Sequence, residues 1–146
     1  MRRLACFAAS GVLAAAALAQ EPGTLGTDVR AGSDAKAEIF DWGTLITYFA
    51  GDSYAATDSL TAVAIINPGM EVHPPHIHSE EEYLMVLEGE GTWSVKGEEF
   101  PAGAGDVLYA APWDEHGIRN TGDEPLRFVV FKWNAKPVSP MPAPGE

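Results

Sequence analysis

Cysteine is all but absent from this chain of 146 residues, with Cys6 the only one. No disulfide can form within one copy, so stability must come from the core and from a bound ion or a partner subunit. Positive charge is scarce too: nine lysines and arginines face 21 acids, for a net charge of −12. Such a surface repels nucleic acid and anionic lipid and excludes both as partners. A neutral, cationic or metal-borne ligand suits that field better.

Long hydrophobic runs are confined to one place. Met1-Arg2-Arg3 is basic, Leu4 to Leu18 is apolar and Ala-rich, and Ala17-Leu18-Ala19 forms a small-x-small cleavage site. Residues 1–19 therefore read as a secretory signal peptide cut after Ala19, which places the mature protein in the periplasm or outside the cell. Ser10 and Gly11 interrupt the run, which is short for a membrane span, so no membrane contact is expected after cleavage. Arg2-Arg3 leaves the export route, general or twin-arginine, open. Cleavage would remove Cys6 and leave seven basic residues against 21 acids, a charge near −14.

Long helical periods are also missing. Residues 20–37 are rich in Gly, Ala, Thr and Asp and read as an arm, while residues 135–146 form a Pro-rich tail expected to be disordered. Between them, residues 38–134 hold one domain's worth of short apolar or alternating runs: "EIFDW", "TLITYFAG", "SLTAVAIINPG", "EYLMVLEGEG", "TWSVKGEEF", "DVLYAAP" and "PLRFVVFKW". Turn signals containing Gly69, Gly89, Gly105 and Gly122 separate them. The pattern predicts an all-β barrel or sandwich.

Three of the four histidines lie in "HPPHIHSEEE", His73 to Glu82. An extended backbone puts residues i and i+2 on one face, whereas a helix separates them by about 200 degrees. Pro74 and Pro75 oppose a helix, so His76 and His78 are expected to converge. Two imidazoles followed by a carboxylate make most of a metal shell. A solvated His-rich loop is the bland alternative, but it gives no account of His116, about forty residues on.

These residues resemble the cupins, small double-stranded β-helix barrels of jelly-roll type. Their first motif is commonly written G-x5-H-x-H-x3/4-E-x6-G. Here Gly69 is followed by six residues, His76-x-His78, three residues, Glu82, six residues and Gly89, so only the first gap is one longer. In the second motif, G-x5-P-x-G-x2-H-x3-N, Gly105, His116 and Asn120 keep their spacing, but Pro112 falls one place late and Trp113 stands where the motif has glycine. The resemblance spans about Ile39 to Trp133 and implies that His76, His78, Glu82 and His116 hold one divalent metal ion: Fe, Mn, Ni or Zn. Glu80 and Glu81 compete with Glu82 for the carboxylate role, and Glu82 is preferred on its distances to His78 and Gly89. The other two are expected in solvent, and His73 is expected at the pocket mouth.

Strand alternation from an inward Glu82 sends Leu84 and Val86 inward and Tyr83 and Met85 outward. It places Leu108 and Ala110 on the pocket wall and Tyr109 outside, while Tyr48, Trp42 and Trp113 are candidates for the mouth. No general acid or base stands out. The resemblance implies a small-molecule metalloenzyme of dioxygenase, lyase or isomerase type, with a non-catalytic metal-dependent binding module and a vestigial dimer-building barrel as alternatives. A homodimer would use Ile39 to Phe49.

Overall fold

A computed structural model describes residues 24–139. The expected signal peptide and the end of the Pro-rich tail lie outside them. The described residues form nine strands: β1 Lys36–Phe40, β2 Gly43–Gly51, β3 Ala56–Ile66, β4 Glu81–Glu88, β5 Glu90–Val95, β6 Glu98–Gly103, β7 Val107–Ala110, β8 His116–Asn120 and β9 Leu126–Ala135. All pairings between strands are antiparallel, in a six-stranded sheet ordered β1-β2-β3-β9-β4-β7 and a three-stranded sheet ordered β6-β5-β8. The fold is a double-stranded β-helix, as expected.

Alternation builds its interior. Along β4, Glu82, Leu84 and Val86 are buried while Tyr83, Met85 and Leu87 are exposed. β9 repeats the pattern with Leu126, Phe128 and Val130 inward. These side chains meet Ala62, Ala64 and Ile66 of β3 and, from the other sheet, Trp93, Ala102 and Ile118. One apolar core thus lies between the two sheets. Glu82, His116 and Asn120 are the polar residues buried with it.

Two expected runs are each divided in the structure. "TWSVKGEEF" is a hairpin, not one strand: Lys96 and Gly97 both have positive φ, 51° and 78°, as a two-residue type I′ turn requires. "EYLMVLEGEG" breaks at Gly89, where the chain leaves the six-stranded sheet and enters β5 of the other. Gly69, Gly89 and Gly105 all occupy the left-handed region, confirming them as turn residues. Trp113 does too, with φ 66°, so the motif position that commonly carries glycine keeps glycine's backbone conformation despite the indole.

Asn120 fastens the lower end of the barrel. It is fully buried, its Nδ2 donates to Ile66 O at 2.9 Å and Glu124 O at 2.8 Å, and its Oδ1 accepts from Gly122 N at 3.0 Å. No other side chain of this size reaches both carbonyls and the amide at once. Asn120→Ala would strand a buried carbonyl and lose three bonds, so we expect a loss of about 3 kcal/mol, read as a lower urea midpoint.

Candidate metal centre

The segment between β3 and β4 carries the first two histidines. It is extended without being a full strand: His76 forms an isolated bridge to His116, donating to His116 O at 3.0 Å and accepting from His116 N at 3.0 Å. Ile77 is turned to solvent at 58% exposure, so His76 and His78 share the opposite side. His116 opens β8, and Gly117 beside it lets Pro75 approach: a Cβ there would stand 3.2 Å from Pro75 Cα. Glu82 sits on the inward face of β4.

The structure brings all four together. One ligand nitrogen from each of His76, His78 and His116 lies within 4.8 Å of the others. Glu82 Oε2 is 3.1 Å from His78 Nε2, and its Oε1 is 3.8 Å from His116 Nε2. Each imidazole is oriented by its other nitrogen, since His76 Nδ1 meets His116 O at 3.1 Å, His78 Nδ1 meets Glu80 O at 3.2 Å and His116 Nδ1 meets Asp114 O at 2.8 Å. A carbonyl can only accept, so Nδ1 carries a proton in each ring and Nε2 is the nitrogen left facing the cluster, without a partner at His116 and against Glu82 Oε2 at His78.

That arrangement fits a cation. His116 Nε2 is buried with no hydrogen-bond partner, and Glu82 Oε2 stands 3.1 Å from His78 Nε2, a separation held by a shared proton or by a cation that takes its place. Neutral imidazole nitrogens with one carboxylate are a donor set for a divalent transition ion. The described residues therefore contain a possible metal site of three histidines, with Glu82 against it.

Burial, and then the neighbouring His73, His116 and His78, lower the pKa of His76 from 6.5 to about 4. The ring is neutral and able to ligate at physiological pH. In metal-free protein, between those two values the unfolded chain holds the extra proton, so stability is expected to fall as pH drops from about 6.5 to 4 and then to lose this slope. Urea midpoints across that range, compared with His76→Gln, check the sign: the variant should show the shallower decline.

Of the neighbouring residues, Glu80 differs from expectation, while Glu81 and His73 lie outside and at the pocket mouth as expected. Glu80 is not in open solvent: its side chain is 17% exposed, with Oε2 3.3 Å from His78 Nδ1 and Oε1 3.4 Å from Lys132 Nζ. Burial pushes its carboxyl up, but its own backbone amide, Lys132 and His78 outweigh this and hold it below the usual carboxylate range. Glu81 instead accepts from Tyr109 Oη at 3.5 Å on the outer face. His73 reaches the cavity, with its ring edge-on to His76 at a centroid distance of 3.8 Å.

The cavity has a volume of about 170 Å³, with His76, Glu82 and His116 on its wall beside Leu45, Leu60, Leu84 and Phe128. Leu108 and Ala110 point inward but pack in the barrel interior instead of lining this space. Tyr83 and Tyr109 face outward, 39% and 48% exposed, as alternation predicts. Trp42 packs on the core and stacks on Phe40, Tyr48 stands away from the cavity, and Trp113 is 66% exposed, so none of the three expected aromatics lines it. Lys132 does, an inward cation for which the sequence reading had no place. Its signal was parity: it continues the inward series Leu126, Phe128, Val130.

A small antiparallel barrel with a histidine cluster on the wall of its cavity defines the class. Residues 62–132 match the family model described as "Cupin domain", and the chain belongs to the cupin superfamily. It is 37% identical over 82 residues to a gentisate 1,2-dioxygenase from a Streptomyces species, covering 56% of this chain and 23% of that protein. It is 35% identical over 88 residues to a dimethylsulfoniopropionate lyase from Ruegeria pomeroyi, covering 60% of this chain and 55% of that one. Among solved structures, a predicted oxalate decarboxylase from Thermotoga maritima superposes with a TM-score of 0.61 at 27% identity, covering 73% of this chain and 98% of that one. The chain spans less than two thirds of the curated relatives it matches, 23% of the dioxygenase and 55% of the lyase.

Proposed function

We propose that the chain is a metal-dependent enzyme acting on a compact organic molecule, with one divalent ion held by His76, His78, Glu82 and His116. The observation that carries this reading is the buried, unpartnered His116 Nε2 beside two further imidazoles on the wall of an apolar cavity. Four protein donors leave two of six octahedral positions for substrate or water. When bound, such an ion would polarise a chelated oxygen or, if iron, engage dioxygen. The protein's part is to orient the imidazoles through their Nδ1 bonds and to exclude bulk water with Leu45, Leu60, Leu84 and Phe128. Similarity to a dioxygenase and a lyase supports chemistry of one of those kinds.

Elemental analysis of native protein, followed by oxygen uptake and product detection across chelating phenols, thiols and 2-oxo acids, tests this. Turnover that depends on the metal is the expected result. Tight ligand uptake with no product would leave a binding module, a reading favoured by the 36% identity over 63 residues to an oxalate-binding protein from Thermotoga maritima. Export with cleavage after Ala19 belongs to the same proposal, and N-terminal sequencing of native protein tests it. So does a homodimer joined along the edge strand β1, where Ile39 is 87% exposed, to be tested by sedimentation.

A further inference from the structure

Lys132 stands opposite Glu82 of β4 and Leu60 of β3, on the inward face of β9 and on the cavity wall. Its neighbours in that phase are Val130 and Phe128, which place it where an apolar side chain would pack at no cost in desolvation. A lysine ammonium offers three N–H donors. The structure records one hydrogen bond for it, to Glu80 Oε1 at a long 3.4 Å, with the side chain 29% exposed. The cavity therefore contains a cation with donors to spare, held by a carboxylate that also touches His78.

From this juxtaposition of an under-bonded ammonium, an apolar wall and the histidine cluster, we infer that Lys132 is the anion-binding residue of the cavity and that its ligand is a compact organic acid. The ligand's carboxylate takes the donors that Glu80 leaves unused, and its body packs on Leu60, Leu84 and Phe128. The net charge of −12 does not oppose this, since surface acids are screened beyond about 8 Å at physiological salt. A volume near 170 Å³ limits the body to about one ring, as benzene fills an apolar cavity of about 150 Å³. The inference rests on the site reading above for the ligand's placement, and its charge preference can be measured with or without metal.

The experiment is an NMR titration of the full chain, both metal-loaded and after chelation, with benzoate and propanoate, each paired with its neutral amide. Both acids are expected to bind at least tenfold more tightly than their amides. After chelation, where no metal ion can attract the carboxylate, Lys132→Met should abolish that preference while leaving amide affinity within twofold, with metal content of the loaded variant also within twofold, and Lys132→Arg should retain it. An acid preference that survives Lys132→Met after chelation, or its absence from the wild type in that state, overturns the inference. A variant that loses metal and both ligands together also overturns it, because Lys132 would then serve only to hold Glu80 and His78. A preference kept after chelation upholds Lys132 independently of the metal-dependent reading, which stands or falls on turnover.

Discussion

His116→Ala is expected to weaken divalent-metal affinity about a hundredfold or more. Loss of an outer partner of a metal ligand typically costs ten- to a hundredfold, and loss of the ligand itself at least as much. His116 is the strongest case of the three imidazoles: it is 1% exposed, its Nδ1 is fixed on Asp114 O at 2.8 Å, and its Nε2 has no other use. Metal binding is also folding energy. At a metal concentration a hundred times Kd the wild type should gain about 2.7 kcal/mol, and a variant a hundredfold weaker only about 0.4 kcal/mol. For a domain of this size that is a thermal shift of roughly 10 °C reduced to under 2 °C. Calorimetric titration and melting with and without metal read the two sides. His73→Ala is the control, expected to keep its metal because its ring packs on His76 from outside the cluster of three histidine nitrogens. Glu80→Ala should fall between, since it supports His78 Nδ1 from behind. Equal losses in all three variants would sink the ligand assignment.

The parts of this site that could be read in advance were those written in alternation and spacing. Outward Tyr83 follows from strand parity once the motif spacing has set Glu82 inward, and the convergence of His76 and His78 follows from an extended backbone after two prolines. β8 could not be read that way. In "HGIRN" only Ile118 is apolar; His116 is buried for its ring nitrogen, Gly117 for the close approach of Pro75, and Asn120 for three hydrogen bonds. A hydrophobicity pattern is silent about residues buried by polar bonding. Lys132 and Glu80 were hidden for a related reason: a charge in an apolar phase reads as the end of a strand until its partner is known, and that partner lies 52 residues away. The hairpin at Lys96-Gly97 lacked the Asn-Gly or Asp-Gly signature, although its second residue supplies the same positive φ.

Gly89→Ala should cost the most stability of any substitution considered, about 3–5 kcal/mol and thus a large part of what a small domain possesses. Two independent effects coincide there. Its φ of 85° lies in a region that a side chain occupies only at a cost of about 1–2 kcal/mol. A Cβ would also stand 2.5 Å from Pro125 O and 2.9 Å from Leu126 Cα, both backbone atoms of the neighbouring segment. Neither can yield without shifting the start of β9, and Leu126 is fully buried in the core. Gly105→Ala separates the two effects, because its φ of 93° carries the conformational cost while nothing lies within 4 Å of the new carbon. Denaturant unfolding of the pair should therefore give a loss of about 1–2 kcal/mol for Gly105→Ala and a much larger one for Gly89→Ala. Comparable losses would mean that the close approach of β9 at the sheet crossing contributes nothing. Because β9 carries Phe128, Val130 and Lys132 onto the cavity wall, a shift of its first residues would also move the site, so metal affinity should fall in Gly89→Ala and stay unchanged in Gly105→Ala.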